Sequence, residues 1–261
     1  AQRWIDLGFV QLQPSELMKV AVVLALARYF HGATLPQVGR PLFLLPPIAM
    51  VAAPTLLVLK QPDLGTAVML LASGAIVLFL AGVRWWKFAL VGSAAAAALP
   101  VIWGRLHEYQ RERVLTFLDP EQDPLGAGYH IIQSKIALGS GGFWGKGFLE
   151  GTQAQLSFLP EKHTDFVFTM LAEEQGLVGG LAVLALYLAV FLMGLLFALR
   201  TRSQFGRLVA AGCSVTFFLY VVINVAMVTG LIPVVGVPLP LVSYGGTAMM
   251  TVMVGCGLAL G

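Results

Sequence analysis

Seven apolar runs follow one another along the chain, each near the length of a bilayer-spanning helix, which takes about 20 mostly apolar residues. They cover about Ser15–His31, Pro41–Leu59, Leu64–Val83, Trp85–Gly104, Asp165–Leu199, Arg207–Thr229 and Leu241 to the end. A chain built this way folds in lipid, where helices satisfy their own backbone polar groups. Composition agrees. The chain is 58% hydrophobic and 11% charged, with a mean hydropathy of +0.84, against roughly 45–50% and 25% for soluble proteins. The expected fold class is all-α, a polytopic transmembrane helical bundle with a large extracytoplasmic loop bearing amphipathic helices.

The runs are not uniform. The first is short and carries Glu16 and Lys19. Pro46, Pro47 and Pro54 are expected to kink the second. The fifth is too long for one straight crossing, so a break is expected near Gly176, Gly179 and Gly180. Trp85, Trp86 and Trp103 mark the two interfaces of the fourth. Cys213 and Cys256 lie within apolar runs, as packing residues rather than a disulfide or metal framework. The net charge of +3 belongs to short loops that orient helices, and no nucleic-acid motif accompanies it. The chain starts Ala1-Gln2-Arg3 and stops at Gly261 in an apolar run, so a fragment clipped at both ends is expected.

Counting Lys and Arg in alternate loops sets the orientation. Arg28, Arg40, Arg84, Lys87, Arg200, Arg202 and Arg207 fall on one side, against Arg3, Lys19 and Lys60 on the other. The first side is therefore cytoplasmic. The loop 105–164, the segment before Ser15, the turn Lys60–Asp63 and the connector Ile232–Gly246 all face outward. Chemistry there has no ATP and needs a substrate that arrives activated.

Nearly half of the charged residues lie between Arg105 and Asp165. Within that stretch His107–Leu118 and Tyr129–Leu138 mix charge with apolar residues at helical spacing, as helices lying along a membrane surface do. Asp119-Pro120-Glu121 and Asp123-Pro124-Leu125-Gly126 are turn chemistry, and 139–147 holds enough glycine to bend sharply. Pro160-Glu161-Lys162-His163-Thr164-Asp165 ends the loop where the chain turns apolar again. A carboxylate at that boundary is either a helix N-cap or a group placed for chemistry.

The strings Gln2-Arg3-Trp4-Ile5-Asp6-Leu7-Gly8, Gln13-Pro14-Ser15-Glu16, Gln61-Pro62-Asp63-Leu64-Gly65-Thr66, Asp119-Pro120 with Gly126–Ser134, Leu159–Phe166 and Gly236–Gly246 together resemble the SEDS family of shape, elongation, division and sporulation proteins. The match is closest to its cell-elongation branch. Such proteins have ten spans, and this chain resembles the last seven, as a single membrane domain over 1–261. The resemblance implies a peptidoglycan glycosyltransferase in the bacterial cytoplasmic membrane, its active site facing outward. It would polymerise lipid II into β-1,4-linked glycan, with a class B penicillin-binding protein and elongation-complex membrane proteins as partners. Two other readings remain open, a lipid II flippase and a scaffold for that transpeptidase.

Asp165 matches the family's catalytic aspartate and is the expected base. Glu16 and Lys19 share a helical face and can pair. They are either a buried ion pair or, with Arg3, the polar wall of a cavity for the diphosphate. Asp63 either joins that cavity or caps the third run. Lys135 and Lys162 are further cations for the diphosphate or solvated lysines, and His163 binds a metal, tunes Asp165 or merely sits at the interface. Ser243, in Ser243-Tyr244-Gly245-Gly246, offers a hydroxyl to the outer cavity or belongs to tight glycine packing. Glu173 and Glu174 read as structural or cavity-lining. The resemblance leaves room for a divalent cation, Mg2+ or Mn2+, at the diphosphate, with no ligand cluster in the sequence to hold it.

Overall fold

The computed structural model describes residues 4–6, 8, 11–61, 63–105, 108–120, 127–152 and 164–260. Each apolar run forms a helix: α1 Pro14–Phe30, α3 Leu45–Lys60 (entered through a 3-10 turn, Leu42–Leu44), α4 Leu64–Leu80, α5 Trp85–Arg105, α8 Val167–Arg200, α9 Gln204–Val228 and α10 Gly246–Leu260. A short α2, Leu35–Val38, lies between the first two, and the surface helices are α6 Glu108–Leu118 and α7 Ala127–Ser140. Leu42–Lys60, Val167–Arg200 and Gln204–Val228 are long and apolar enough to cross a membrane, and Leu64–Leu80 and Gly246–Leu260 are shorter apolar helices. Two-residue strands β1 Ile5–Asp6 and β2 Gln11–Leu12 pair antiparallel, a hairpin the hydropathy pattern does not foretell.

The chain divides into two compact units, one of 1–84, 186–221 and 244–261, the other of 85–185 and 222–243. In the first, α1 packs on α3, α4 and α10. Its buried stripe is Glu16, Lys19, Val23, Leu26 and Phe30, an alternation of three and four that puts two charges in line with the hydrophobic core. Proline departs from expectation here. Pro46 and Pro47 occupy the first turn of α3, where a missing N–H leaves nothing unpaired, so only Pro54 interrupts the ladder. Gly74 of α4 admits Val51 of α3: an added Cβ would stand 2.6 and 2.7 Å from the two Val51 methyls. Gly74→Ala is therefore expected to cost about 1–3 kcal/mol through overpacking, read as a lower thermal midpoint in detergent. An unchanged midpoint would refute this packing.

In the second unit α6 folds back on α5. The Arg111 guanidinium donates to the carbonyls of Trp103 and Gly104, both at 3.0 Å, and so caps the C-terminus of α5 with positive charge. The expected break in α8 falls at Gly176, with φ 68° and ψ −166°. The glycine-rich stretch after α7 supplies partners for the backbone groups this break frees. Lys146 and Gly147 donate to the carbonyls of Glu173 and Glu174, while Leu177 and Val178 donate to those of Gly142 and Phe143. Irregular backbone at membrane depth needs such replacement bonds. A Cβ on Gly176 would strike the backbone of Gly145 and Phe143, so glycine is required on steric as well as conformational grounds. The buried Glu173 secures the same loop, its Oε1 accepting from Lys146 Nζ at 2.7 Å and Thr152 Oγ1 at 3.1 Å.

Candidate active site

Asp165 lies in a turn, Thr164–Phe166, before α8, and is half-buried. The first helical acceptor is the Phe166 carbonyl, which takes the Met170 amide. Asp165 thus stands one residue outside the cap position that the alternative reading gave it. The backbone around it is fixed from two directions. Asn224, with no exposed surface, donates from Nδ2 to the Asp165 carbonyl at 2.9 Å and to the Val237 carbonyl at 2.7 Å. Ser243 Oγ donates to the Thr164 carbonyl at 2.5 Å and accepts from the Leu239 amide at 2.7 Å. Ser243 is buried and its hydroxyl engaged by backbone, where the sequence offered it to substrate. Gly236, at φ +69°, brings its backbone against the carboxylate: a Cβ there would lie 3.3 Å from Asp165 Oδ2.

The surface helix α7 is tied down beside this turn. Ser134, fully buried, donates to the Val228 carbonyl at 2.7 Å and shares a 2.9 Å hydrogen bond with Thr169 of α8. The next residue, Lys135, is exposed. Its side chain lies over Gly230, whose positive φ of 72° and missing Cβ make the room. His130 of α7 faces the Phe166 ring at 6.3 Å between centroids. Arg3, Lys162 and His163 lie outside the described residues, as do Glu121 and Asp123.

The remaining chosen residues belong to the first unit. Lys19 Nζ meets Glu16 Oε1 at 2.6 Å and lies 4.4 Å from the centroid of the Tyr220 ring, while the Tyr220 hydroxyl donates to Glu16 Oε2 at 2.5 Å. Both charged residues are buried, at 4% and 1% exposure, and each has the other as counter-charge. Tyr220 is 204 positions from Glu16, which is why sequence reasoning missed it. Asp63 accepts from the Thr66 amide at 3.1 Å as the N-cap of α4, and its second oxygen takes Gln13 Nε2 at 3.4 Å. The cap is therefore present, and the Asp63 charge also acts on Lys19.

A cavity of about 300 Å³ opens in this unit between α1, α9, α10 and the second half of α8. Lys19, Tyr220 and Thr251 contribute its polar edge, and Val23, Phe197 and Phe217 are among its apolar walls. Cys213 and Cys256, both free thiols, also line it. Among the described residues no three His, Cys, Asp or Glu side chains converge.

Fold and geometry together define a polytopic helical membrane protein with an acid braced at a helix entrance. The family model FTSW_RODA_SPOVE, described as "Cell cycle protein", matches residues 1–260. The chain belongs to this family, the SEDS proteins named above. It is 54% identical to "Peptidoglycan glycosyltransferase MrdB" of Escherichia coli K12 across 100% of this chain and 70% of that protein. Among solved structures, the subject of "Structural coordination of polymerization and crosslinking by a peptidoglycan synthase complex" matches at a TM-score of 0.79 and 35% identity, covering 100% of this chain and 72% of that one. Rod shape determining protein RodA of Thermus thermophilus matches at 0.64 and 30%, covering 100% and 68%.

Proposed function

We propose that this membrane protein is a peptidoglycan glycosyltransferase that polymerises lipid II with Asp165 as general base. A hydroxyl of the acceptor disaccharide gives its proton to the Asp165 carboxylate as its oxygen bonds to the donor's anomeric carbon. The bond from that carbon to the diphosphate breaks, and undecaprenyl diphosphate leaves as the anion. No external energy source is consumed, because the donor already carries its leaving group. The observation that carries the reading is the placement of Asp165: half-buried, one residue outside the helix cap, its two flanking peptide groups fixed.

The departing diphosphate calls for positive charge. Lys135, exposed on α7 within the same unit, is the cation we assign to it. A divalent cation accompanying the substrate would be held mainly by phosphate oxygens, as Mg2+ commonly is. The charge bias of the loops supports an outer-face position for this chemistry. A class B penicillin-binding protein is the proposed partner, since a new glycan strand must next be cross-linked.

Gly236 provides a direct test of the carboxylate's surroundings. Gly236→Ala introduces a side chain into the left-handed region and crowds Oδ2, so the polymerisation rate is expected to fall about tenfold through misplacement of the base. The rate is read from the glycan that the full-length protein makes from purified lipid II. A wild-type rate would mean that the carboxylate does not depend on this contact.

A further inference from the structure

We infer that Asn224 and Ser243 are positioning residues for Asp165, an inference that rests on the base reading above. The geometry is specific to the direction of a side chain. The Thr164 carbonyl belongs to the peptide plane that precedes the Asp165 Cα, and the Asp165 carbonyl to the plane that follows it. Ser243 Oγ holds the first at 2.5 Å and Asn224 Nδ2 holds the second at 2.9 Å. Peptide groups are planar, so pinning the two planes that meet at one Cα fixes its φ and ψ and therefore the line along which its Cβ points. The Cα–Cβ bond that carries the carboxylate is aimed by the backbone.

The same two residues bring up the opposing surface. The Asn224 amide also binds the Val237 carbonyl at 2.7 Å, and Ser243 also receives the Leu239 amide at 2.7 Å. These bonds draw the 236–239 backbone onto the Thr164–Asp165 turn, and Gly236 comes to lie against Asp165 Oδ2. Only a residue with two N–H donors on one nitrogen can bridge two carbonyls from one point, which asparagine does and aspartate cannot. Asn224 is the buried polar residue within an otherwise apolar stretch of α9, and Ser243 is 8% exposed. Both spend their polar hydrogens on backbone carbonyls. Their effect on catalysis passes through the orientation of Asp165, where small displacements of a reacting group are costly.

The test measures initial rates of lipid II polymerisation by the full-length protein in proteoliposomes, over a range of lipid II, for wild type and Asn224→Asp, Ser243→Ala, Ser243→Thr and Asp165→Ala. Melting temperatures are taken on the same samples. Asn224→Asp and Ser243→Ala are expected to lower kcat about 10- to 100-fold with KM within about twofold, and Ser243→Thr, which keeps the hydroxyl, to return within about threefold of wild type. Folded Asn224→Asp and Ser243→Ala proteins with wild-type kcat, or with raised KM at unchanged kcat, overturn the inference. So does unfolding of both beside a folded Asp165→Ala, which would assign the clamp to stability alone. An active Asp165→Ala removes the base reading itself, whereas an inactive one beside active clamp variants removes only the positioning role.

Discussion

Asp165→Asn is expected to lower the rate of glycan polymerisation by about 10²- to 10⁴-fold, the usual contribution of a positioned general base. Asparagine matches aspartate in size and leaves untouched the bonds from Asn224 and Ser243, which go to backbone carbonyls. The turn should therefore keep its shape, and the loss should fall on kcat and on kcat/KM alike, the mark of an interaction made in the transition state. Binding of lipid II should persist. Asp165→Glu keeps the carboxylate but advances it by one methylene towards Gly236, and is expected to fall between the two. A flippase without polymerase chemistry has no need of a proton acceptor at this point, so an undiminished rate in Asp165→Asn would remove the assignment.

Glu16→Ala is expected to destabilise the protein by about 3–5 kcal/mol, because it strands a buried cation. Lys19 is 1% exposed, and its hydrogen-bonded counter-ion is Glu16 at 2.6 Å. Tyr220 loses the acceptor of its hydroxyl in the same step. The double change Glu16→Leu with Lys19→Met should recover most of the loss, since apolar side chains of similar volume can replace a buried pair at little cost. Reversible unfolding of the full-length protein in detergent checks both. A single variant as stable as wild type would show that Lys19 finds solvent or another anion. Polymerisation by the double variant then separates the two roles open from the sequence: a stable protein that makes no glycan assigns the pair a part in substrate handling, and a stable, active one assigns it to packing.

Much of the fold follows from patterns local in sequence. Runs of apolar residues locate the long helices because a single segment in hydrocarbon satisfies its own backbone polar groups only as a helix, and the break at Gly176 is visible as glycines in a helix too long to cross once. The expected surface helix over His107–Leu118 is found as Glu108–Leu118, and that over Tyr129–Leu138 as Ala127–Ser140. Pro46 and Pro47 show the limit of composition, since a proline breaks a helix or begins one according to where the first turn falls. The site was legible only in part. Asp165 stands out because a carboxylate at an apolar boundary is expensive, and Glu16 and Lys19 because three positions place them on one face. Their fixing partners come from far along the chain. Tyr220 and Asn224 read as ordinary members of an apolar helix until tertiary structure brings them to Glu16 and to the 164–165 turn. A buried asparagine in a spanning run was the available signal, because such a residue needs a polar partner. The role of Ser243 could not be read from its neighbours, since its hydroxyl bonds depend on a carbonyl 79 positions away.

In the proposed reaction Asp165 accepts the acceptor hydroxyl's proton. The most direct measurement of this role is a parallel assay of full-length wild type and Asp165→Asn, reconstituted in proteoliposomes with purified lipid II, recording bound lipid II and glycan polymer in the same samples. Equal binding is expected, with long polymer from the wild type and none above background from the variant within the same period. Polymer of comparable length and amount from Asp165→Asn would contradict that role.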